Sequence, residues 1–122
     1  MYICVDFDGT CVKHEYPLVG SEIGAIPVLK ELVLNKHKLI LFTMRSGKEL
    51  KDAEQWFVDN DIKLYASQKN PTQSRWTRSP KCYGQLYIDD AALGCPLIIE
   101  DDEQGYVNWD KVKELLVNNG TL

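Results

Sequence analysis

The chain has 122 residues, of which 44% are hydrophobic and 26% charged, and a formal net charge of −4. This balance is typical of a single compact domain, expected over residues 1–122, and it excludes disordered, collagen-like and low-complexity classes. The apolar runs are far shorter than the roughly 20 residues that cross a bilayer, so we expect no membrane partner. The negative charge means that nucleic-acid binding would need a local basic patch, and we interpret the densest basic stretch, Lys69 to Lys81, as a solvated loop, so we expect no nucleic-acid partner.

Short apolar runs alternate along the chain with amphipathic segments. In residues 25–36, for example, Ile26, Leu29 and Leu32 recur at helical spacing. In chain order we predict a strand over 2–5, an ordered loop or small hairpin over 9–20, a helix over 25–36, a strand over 38–43 and a helix over 47–59. These are followed by a strand over 62–66, a loop with at most a turn or two of helix over 67–83, strands over 86–88 and 96–99, and a final helix capped by Asn108.

Each predicted strand is apolar throughout, as expected of strands that are buried on both faces. Alternation of such strands with helices indicates an α/β fold, with a mainly parallel sheet and helices on both faces. In such sheets, ligands bind beyond the carboxyl ends of the strands. The residues that follow the strands are therefore the candidates for a functional site.

Four carboxylates follow two of the predicted strands. Asp6 and Asp8 come after the first strand, and Asp89 and Asp90 come after the fourth. If these strands are neighbours, the four groups converge, and their mutual repulsion requires a neutralising cation. Oxygen ligands of this kind suit Mg²⁺, which completes its shell with water and substrate phosphate.

Three other residues at the strand ends fit a phosphate ligand. Thr43 offers a hydroxyl group after the second strand, and Lys81, eight residues before Asp89, offers a positive charge. Gly9 lets the backbone turn sharply and approach a ligand closely.

Together these residues resemble the four motifs of the haloacid dehalogenase superfamily. The motifs are Asp6-x-Asp8-Gly9-Thr10, Thr43, Lys81 and Asp89-Asp90, in the order typical of the family and over about residues 2 to 100. The resemblance implies a Rossmann-like three-layer sandwich with a five-stranded sheet of order 5-4-1-2-3. It also implies Mg²⁺-dependent phosphoryl transfer through an aspartyl-phosphate.

The resemblance also implies a role for each motif residue. Asp6 would be the nucleophile and a metal ligand. Asp8 would be the general acid and base, with its backbone carbonyl on the metal, and an acid at this position favours a phosphatase over a dehalogenase. The remaining roles are substrate binding by Gly9, Thr10, Thr43, Met44 and Arg45, charge balance by Lys81, and Mg²⁺ binding by Asp89 and Asp90.

The motif lysine has a second candidate. Lys69 lies 20 residues before Asp89, nearer to the separation found in many members of the superfamily. We favour Lys81, because the loop over residues 70–80 can deliver it beside the fourth strand, whereas Lys69 directly follows the third strand.

The spacing between the motifs leaves no room for the cap domain that many family members carry. Residues 11–42 hold one loop and one helix, and the flap over residues 11–20, with His14 and Tyr16, is the one lid that the chain itself provides. We therefore expect an open site, covered by a macromolecular or polymer-linked phosphate substrate or by a neighbouring subunit.

Two functions of other classes remain as alternatives. A response-regulator receiver has a similar length and an early acidic pair, but its phosphoacceptor Asp should end the third strand, where this chain has Ala66 and Ser67. A catalytically idle binding module with the same motifs is the second alternative. Measurement of turnover distinguishes both from a phosphatase.

The amino-terminal residues and the cysteines favour the cytoplasm. The first six residues lack the basic segment and long apolar core of a secretory signal. The four cysteines have no Cys-x-x-Cys spacing, so we expect free thiols rather than disulfides or a zinc site.

Overall fold

The computed structural model describes residues 1–101 and 103–122. Its elements are β1 (Tyr2–Val5), α1 (Ala25–Leu34), β2 (Lys38–Leu41), α2 (Gly47–Asp59), β3 (Leu64–Ser67), a 3₁₀ helix (Pro71–Arg75), β4 (Leu86–Ile88), β5 (Leu97–Ile98), β6 (Tyr106–Val107) and α3 (Trp109–Asn118). All the predicted strands and helices are present, and β6 is an addition. Of the helices in these ranges, none has the length and apolar composition needed to cross a bilayer.

The main sheet is parallel and has four strands in the order β3-β2-β1-β4. β1 is central, so Val5 pairs with Leu41 of β2 on one side and with Ile88 of β4 on the other. This register brings the carboxyl ends of three strands to one edge. The prediction of an α/β fold with a parallel sheet is confirmed, and the observed order agrees with the 4-1-2-3 part of the expected one.

The expected position of the fifth strand beside β4 is wrong. β5 instead pairs antiparallel with β6 in a separate two-stranded sheet, with Leu97 opposite Val107 and Ile98 opposite Tyr106. A two-residue strand carries too little pattern to specify its partner, and the short return from β5 to β6 makes the local antiparallel pairing available.

The expectation of helices on both faces of the sheet is also wrong for the described residues. The main core joins Ile3 and Val5 of β1 to apolar side chains from all three α-helices. A smaller cluster on the other face is built around Cys4, Ile40 and Cys82. The segment over residues 68–83 covers this second face, and its prolines at 71 and 80 prevent a long helix there.

The last helix is tied to the first motif by one buried hydrogen bond. The indole Nε1 of Trp109 donates to the backbone oxygen of Thr10 at 2.7 Å, and both residues are buried. Because Thr10 lies in the loop after β1, this bond positions the loop from the opposite end of the chain.

We expect Trp109→Phe to lower the free energy of unfolding by about 1–3 kcal/mol, because the buried Thr10 carbonyl loses its donor. Urea denaturation followed by circular dichroism measures the change. Trp76→Phe is the matched control, since Trp76 is 63% exposed and its replacement should have little effect. Equal stability of the two variants would contradict the role given to Trp109.

Candidate functional site

The loop after β1 turns back on a buried aromatic anchor. Phe7 is fully buried, and its carbonyl accepts hydrogen bonds from the amides of Thr10 and Cys11 at 3.1 and 2.8 Å. Gly9 has a φ of +77°, and a Cβ atom there would lie 2.0 Å from His14 Nε2 and 2.7 Å from Asp90 Oδ2. Only glycine fits this position, because a side chain would displace two groups of the site.

Three carboxylates converge at the edge of the sheet. Asp6, Asp89 and Asp90 each offer an oxygen, and these oxygens all lie within 4.8 Å of one another. The pairing of β1 with β4 causes this, because Val5 and Ile88 are partners and the acidic residues follow them directly. The fourth candidate, Asp8, lies outside this group and contacts Arg45.

Burial and the neighbouring negative charge raise the pKa of Asp6. Burial, followed by the charge of Asp89, raises this pKa from 3.8 to about 7, while the hydrogen bond from Thr10 opposes the rise. In the folded protein, Asp6 therefore holds a proton over a pH range in which an exposed aspartate is ionised. A divalent cation between the carboxylates would favour the ionised form.

Two polar side chains hold the carboxylates in place. The buried Thr10 hydroxyl lies 2.9 Å from Asp6 Oδ2 and 3.2 Å from Asp90 Oδ1, and it accepts a hydrogen bond from the Asp90 amide at 3.0 Å. His14 Nε2 lies 3.0 Å from Asp90 Oδ2 and 3.2 Å from the Gly105 carbonyl. Since Nε2 faces two acceptors, it carries a proton in this arrangement.

Asp8 forms a two-pronged ion pair with Arg45. Arg45 Nε and one terminal nitrogen each donate to a different Asp8 oxygen at 2.8 Å. The guanidinium group is buried and also donates to the carbonyls of Leu18 at 2.7 Å and Glu49 at 3.2 Å. The side chain of Arg45 is therefore committed to internal contacts, and it orients Asp8 and the flap rather than facing solvent.

The loop after β2 offers two donors at the same edge. The Thr43 amide donates to Gln68 Oε1 at 2.9 Å, and the Arg45 amide donates to the Thr43 hydroxyl oxygen at 3.2 Å. Within the described residues, the Met44 amide and the Thr43 hydroxyl proton have no acceptor. These two groups are available to a ligand beside the carboxylates.

The structure does not bring either candidate lysine into the carboxylate group. Lys81 Nζ lies 5.6 Å from the centre of the Tyr87 ring, and Lys69 is exposed. Neither lysine forms an ion pair with a carboxylate within residues 1–101 and 103–122.

The donor set fits a hard divalent cation. Three carboxylate oxygens meet, no thiol or imidazole of the described residues joins the group, and one member has a strongly raised pKa. Mg²⁺ prefers oxygen ligands and keeps several waters, which the open edge of the sheet allows. Asp6, Asp89 and Asp90 would hold it.

Sequence reasoning missed the roles of His14 and Gln68. The sequence places His14 in the flap over residues 11–20, and its position shortly after the first motif is the one signal that points to the site. Gln68 also donates to the Thr43 carbonyl at 2.7 Å, and its backbone has a left-handed φ of 67°. No local sequence pattern predicts this conformation or this contact across 25 residues.

We expect Mg²⁺ to raise the Tm more at about pH 8 than at about pH 5.5, because the cation must displace the proton of Asp6. Without Mg²⁺, the contribution of Asp6 to the Tm falls as pH rises from 3.8 to about 7, because the raised pKa means that the folded state binds the proton more tightly than the unfolded state does. Thermal denaturation at several pH values measures both trends. Asp6→Asn should abolish them, and a pH-independent Mg²⁺ effect in the wild type would contradict this account.

Comparison with known proteins gives one informative match. No family model and no curated protein matches the chain. A solved structure, described as a conserved protein from Bacteroides thetaiotaomicron, superposes with a TM-score of 0.81 and 35% sequence identity, and the match covers 98% of this chain and 91% of that one. This protein therefore belongs to the same family as that conserved Bacteroides protein.

Proposed function

We propose that this protein is a Mg²⁺-dependent phosphatase, a capless member of the haloacid dehalogenase superfamily that hydrolyses phosphomonoesters through an aspartyl-phosphate on Asp6. The observation that carries the proposal is the convergence of Asp6, Asp89 and Asp90 at the edge where Thr43 and Met44 present free donors. A cation held by the carboxylates would neutralise phosphate oxygens, and the donors would hold the phosphoryl group.

Asp6 is the proposed nucleophile. One of its oxygens attacks phosphorus, the ester oxygen leaves, and water then hydrolyses the resulting acyl phosphate, so a single displacement is divided into two easier steps. Thr10 supports this role, because its hydroxyl lies 2.9 Å from Asp6 Oδ2 and restricts the rotation of the carboxylate.

Asp8 is the proposed general acid and base. Arg45 occupies one lone pair on each Asp8 oxygen, and each oxygen keeps a second lone pair that can hold a proton. In the first step Asp8 would protonate the leaving oxygen, and in the second it would take a proton from the attacking water. Arg45 fixes the carboxylate for this exchange through its contacts with Leu18 and Glu49.

The open edge of the sheet supports a bulky substrate or a covering subunit. Leu18, Met44 and Leu93 stand on the loops after β1, β2 and β4, and they are 70%, 98% and 107% exposed. Exposed apolar side chains on the loops that follow these strands suit contact with a macromolecular or polymer-linked phosphate, or with a second copy of the chain.

The alternatives receive less support. A receiver needs an Asp at the end of its third strand to accept the phosphoryl group. Here β3 ends at Ser67 and is followed by Gln68, so no carboxylate stands at that position. A binding module without turnover remains the second alternative, and the next measurement distinguishes it from an enzyme.

We expect Mg²⁺-dependent hydrolysis of p-nitrophenyl phosphate and of members of a broad phosphate-ester panel. Asp6→Asn should lower kcat by at least about 10³-fold, because an amide cannot act as the nucleophile. Lys51→Gln, on the exposed face of α2, serves as the control and should retain full activity. Absence of turnover across the panel with Mg²⁺ present would overturn the proposal, and substantial activity of Asp6→Asn would remove Asp6 from its role.

Lys81 stays the proposed motif lysine, although the structure brings neither lysine into the carboxylate group and the Lys81 side chain would have to leave the Tyr87 ring to reach a bound phosphate. We expect Lys81→Ala to lower kcat/KM by about tenfold and Lys69→Ala to lower it less. Steady-state kinetics on the same aryl phosphate measure both variants. A larger loss for Lys69→Ala would assign the motif lysine to position 69.

A further inference from the structure

The basic residues are unevenly distributed along the chain. Residues 62–88 contain five of the 14 Lys and Arg residues and none of the 18 Asp and Glu residues. The net charge of −4 is therefore an average over one cationic stretch and a much more acidic remainder. The cationic residues are Lys63, Lys69, Arg75, Arg78 and Lys81.

Four of these residues stand on one loop. The cationic loop, residues 68–81, follows β3 and covers the second face of the sheet. Its Lys69, Arg75, Arg78 and Lys81 are all exposed. In the part of the chain that the structure describes, none of them forms an ion pair with a carboxylate.

Buried amide side chains brace the cationic loop from within. Asn70 donates to the Tyr83 carbonyl at 3.0 Å and accepts from the Thr72 amide at 3.1 Å. Gln73 donates to the Lys81 carbonyl at 2.9 Å and accepts from the Tyr83 amide at 2.8 Å. The loop is ordered before any ligand arrives, which lowers the entropic cost of binding.

A groove and an exposed aromatic ring accompany the charges. The groove has a volume of about 660 Å³, and Gln68, Lys69, Thr77 and Arg78 are among the residues that line it. Trp76 is 63% exposed, and its ring meets Tyr83 edge to face at a centroid distance of 5.2 Å. Arg75 and Arg78 flank this exposed indole in the sequence, and exposed cations together with an exposed aromatic ring on one loop suit a ligand with both phosphates and planar bases.

The groove adjoins the candidate phosphate site. Gln68 lines the groove and also bonds both the amide and the carbonyl of Thr43. The site itself is crowded with carboxylates, and Arg45 is committed to Asp8, so an anionic substrate meets repulsion there. Lys69 and Arg78 of the cationic loop line the groove, so they supply positive charge in the groove that adjoins that site.

We propose that the cationic loop binds the phosphodiester backbone of a single-stranded nucleic acid whose terminal phosphate lies at the Asp6 site. This proposal rests on the phosphatase function and names its substrate class. Arg75 and Arg78 neutralise backbone phosphates, and Trp76 stacks on a base. An acidic peptide would match the charges, but it offers no planar base to Trp76.

Binding is tested with the Asp6→Asn protein, Mg²⁺ and a fluorescent oligothymidylate of about ten nucleotides with a phosphate at the end opposite to the dye, followed by anisotropy. Arg75→Gln combined with Arg78→Gln should weaken binding at least about tenfold at about 50 mM NaCl. The same change should make the affinity less dependent on salt, so that the slope of log affinity against log salt becomes less negative by about 1.4. Trp76→Ala should weaken binding about tenfold without changing that slope, and Trp76→Phe should restore most of the affinity.

The matched control is Lys30→Gln combined with Lys51→Gln, which makes the same charge change on exposed positions of α1 and α2. It should leave the affinity unchanged. Three results would overturn the proposal: no binding of the oligonucleotide, equal weakening by the control, or equally tight binding of a polyglutamate peptide of similar length.

Steady-state kinetics of proteins with an intact Asp6 separate failure of this proposal from failure of the phosphatase function. Compared with the wild type, the Arg75→Gln and Arg78→Gln double variant should keep its kcat/KM on p-nitrophenyl phosphate and raise the KM for the phosphorylated oligonucleotide at least about tenfold. Hydrolysis of the aryl phosphate without oligonucleotide binding overturns the nucleic-acid proposal alone. Binding without any hydrolysis overturns the phosphatase and leaves the groove as a binding surface.

Discussion

Repulsion among carboxylates at one edge of the sheet is the constraint to which much of the structure responds. β1 lies between β2 and β4, so Asp6 meets the acidic pair that follows β4, while Asp8 lies outside this group. The protein offsets this charge in different ways. Asp8 is paired with Arg45, Asp90 is held by His14 and Thr10, and the pKa of Asp6 is raised to about 7, so Asp6 ionises less readily than an exposed aspartate.

Each compensating group also fixes a part of the chain that is distant in sequence. Arg45 bonds the Leu18 carbonyl of the flap, and His14 bonds the Gly105 carbonyl beside β6. Thr10 accepts the Trp109 indole proton on its carbonyl. The site and the tertiary fold are therefore stabilised by the same contacts, and loss of one such group disturbs both.

Negative and positive side chains are also separated into two neighbouring regions of the surface. The acidic edge and the cationic loop adjoin each other through Gln68, which bonds Thr43 and lines the groove. Under the proposed phosphatase function, an anionic substrate that approaches this carboxylate-rich site needs positive charge nearby, since a cation at the site offsets only local repulsion. Exposed apolar side chains such as Met44 border the same site.

Much of the fold could be predicted because the sequence patterns that indicate its strands and helices extend over only a few neighbouring residues. Continuous apolar runs marked β1, β2 and β4, and helical spacing marked α1, so the parallel sheet followed from short-range patterns. The partner of β5 could not be predicted, because two residues carry no register information. The loop over residues 67–83 was predicted from its prolines, but the sequence did not show that this loop, rather than an α-helix, covers the second face of the sheet, because tertiary contacts decide that.

The sequence by itself determined which chemical groups follow the strands, because chain order and apolar pattern fix the residues that come after β1, β2 and β4. It therefore identified Asp6, Thr43 and the Asp89-Asp90 pair. Only the tertiary structure decided how those groups are partnered. The Asp8–Arg45 pair spans 37 residues and the His14–Asp90 contact spans 76, and no short-range pattern encodes contacts between residues so far apart.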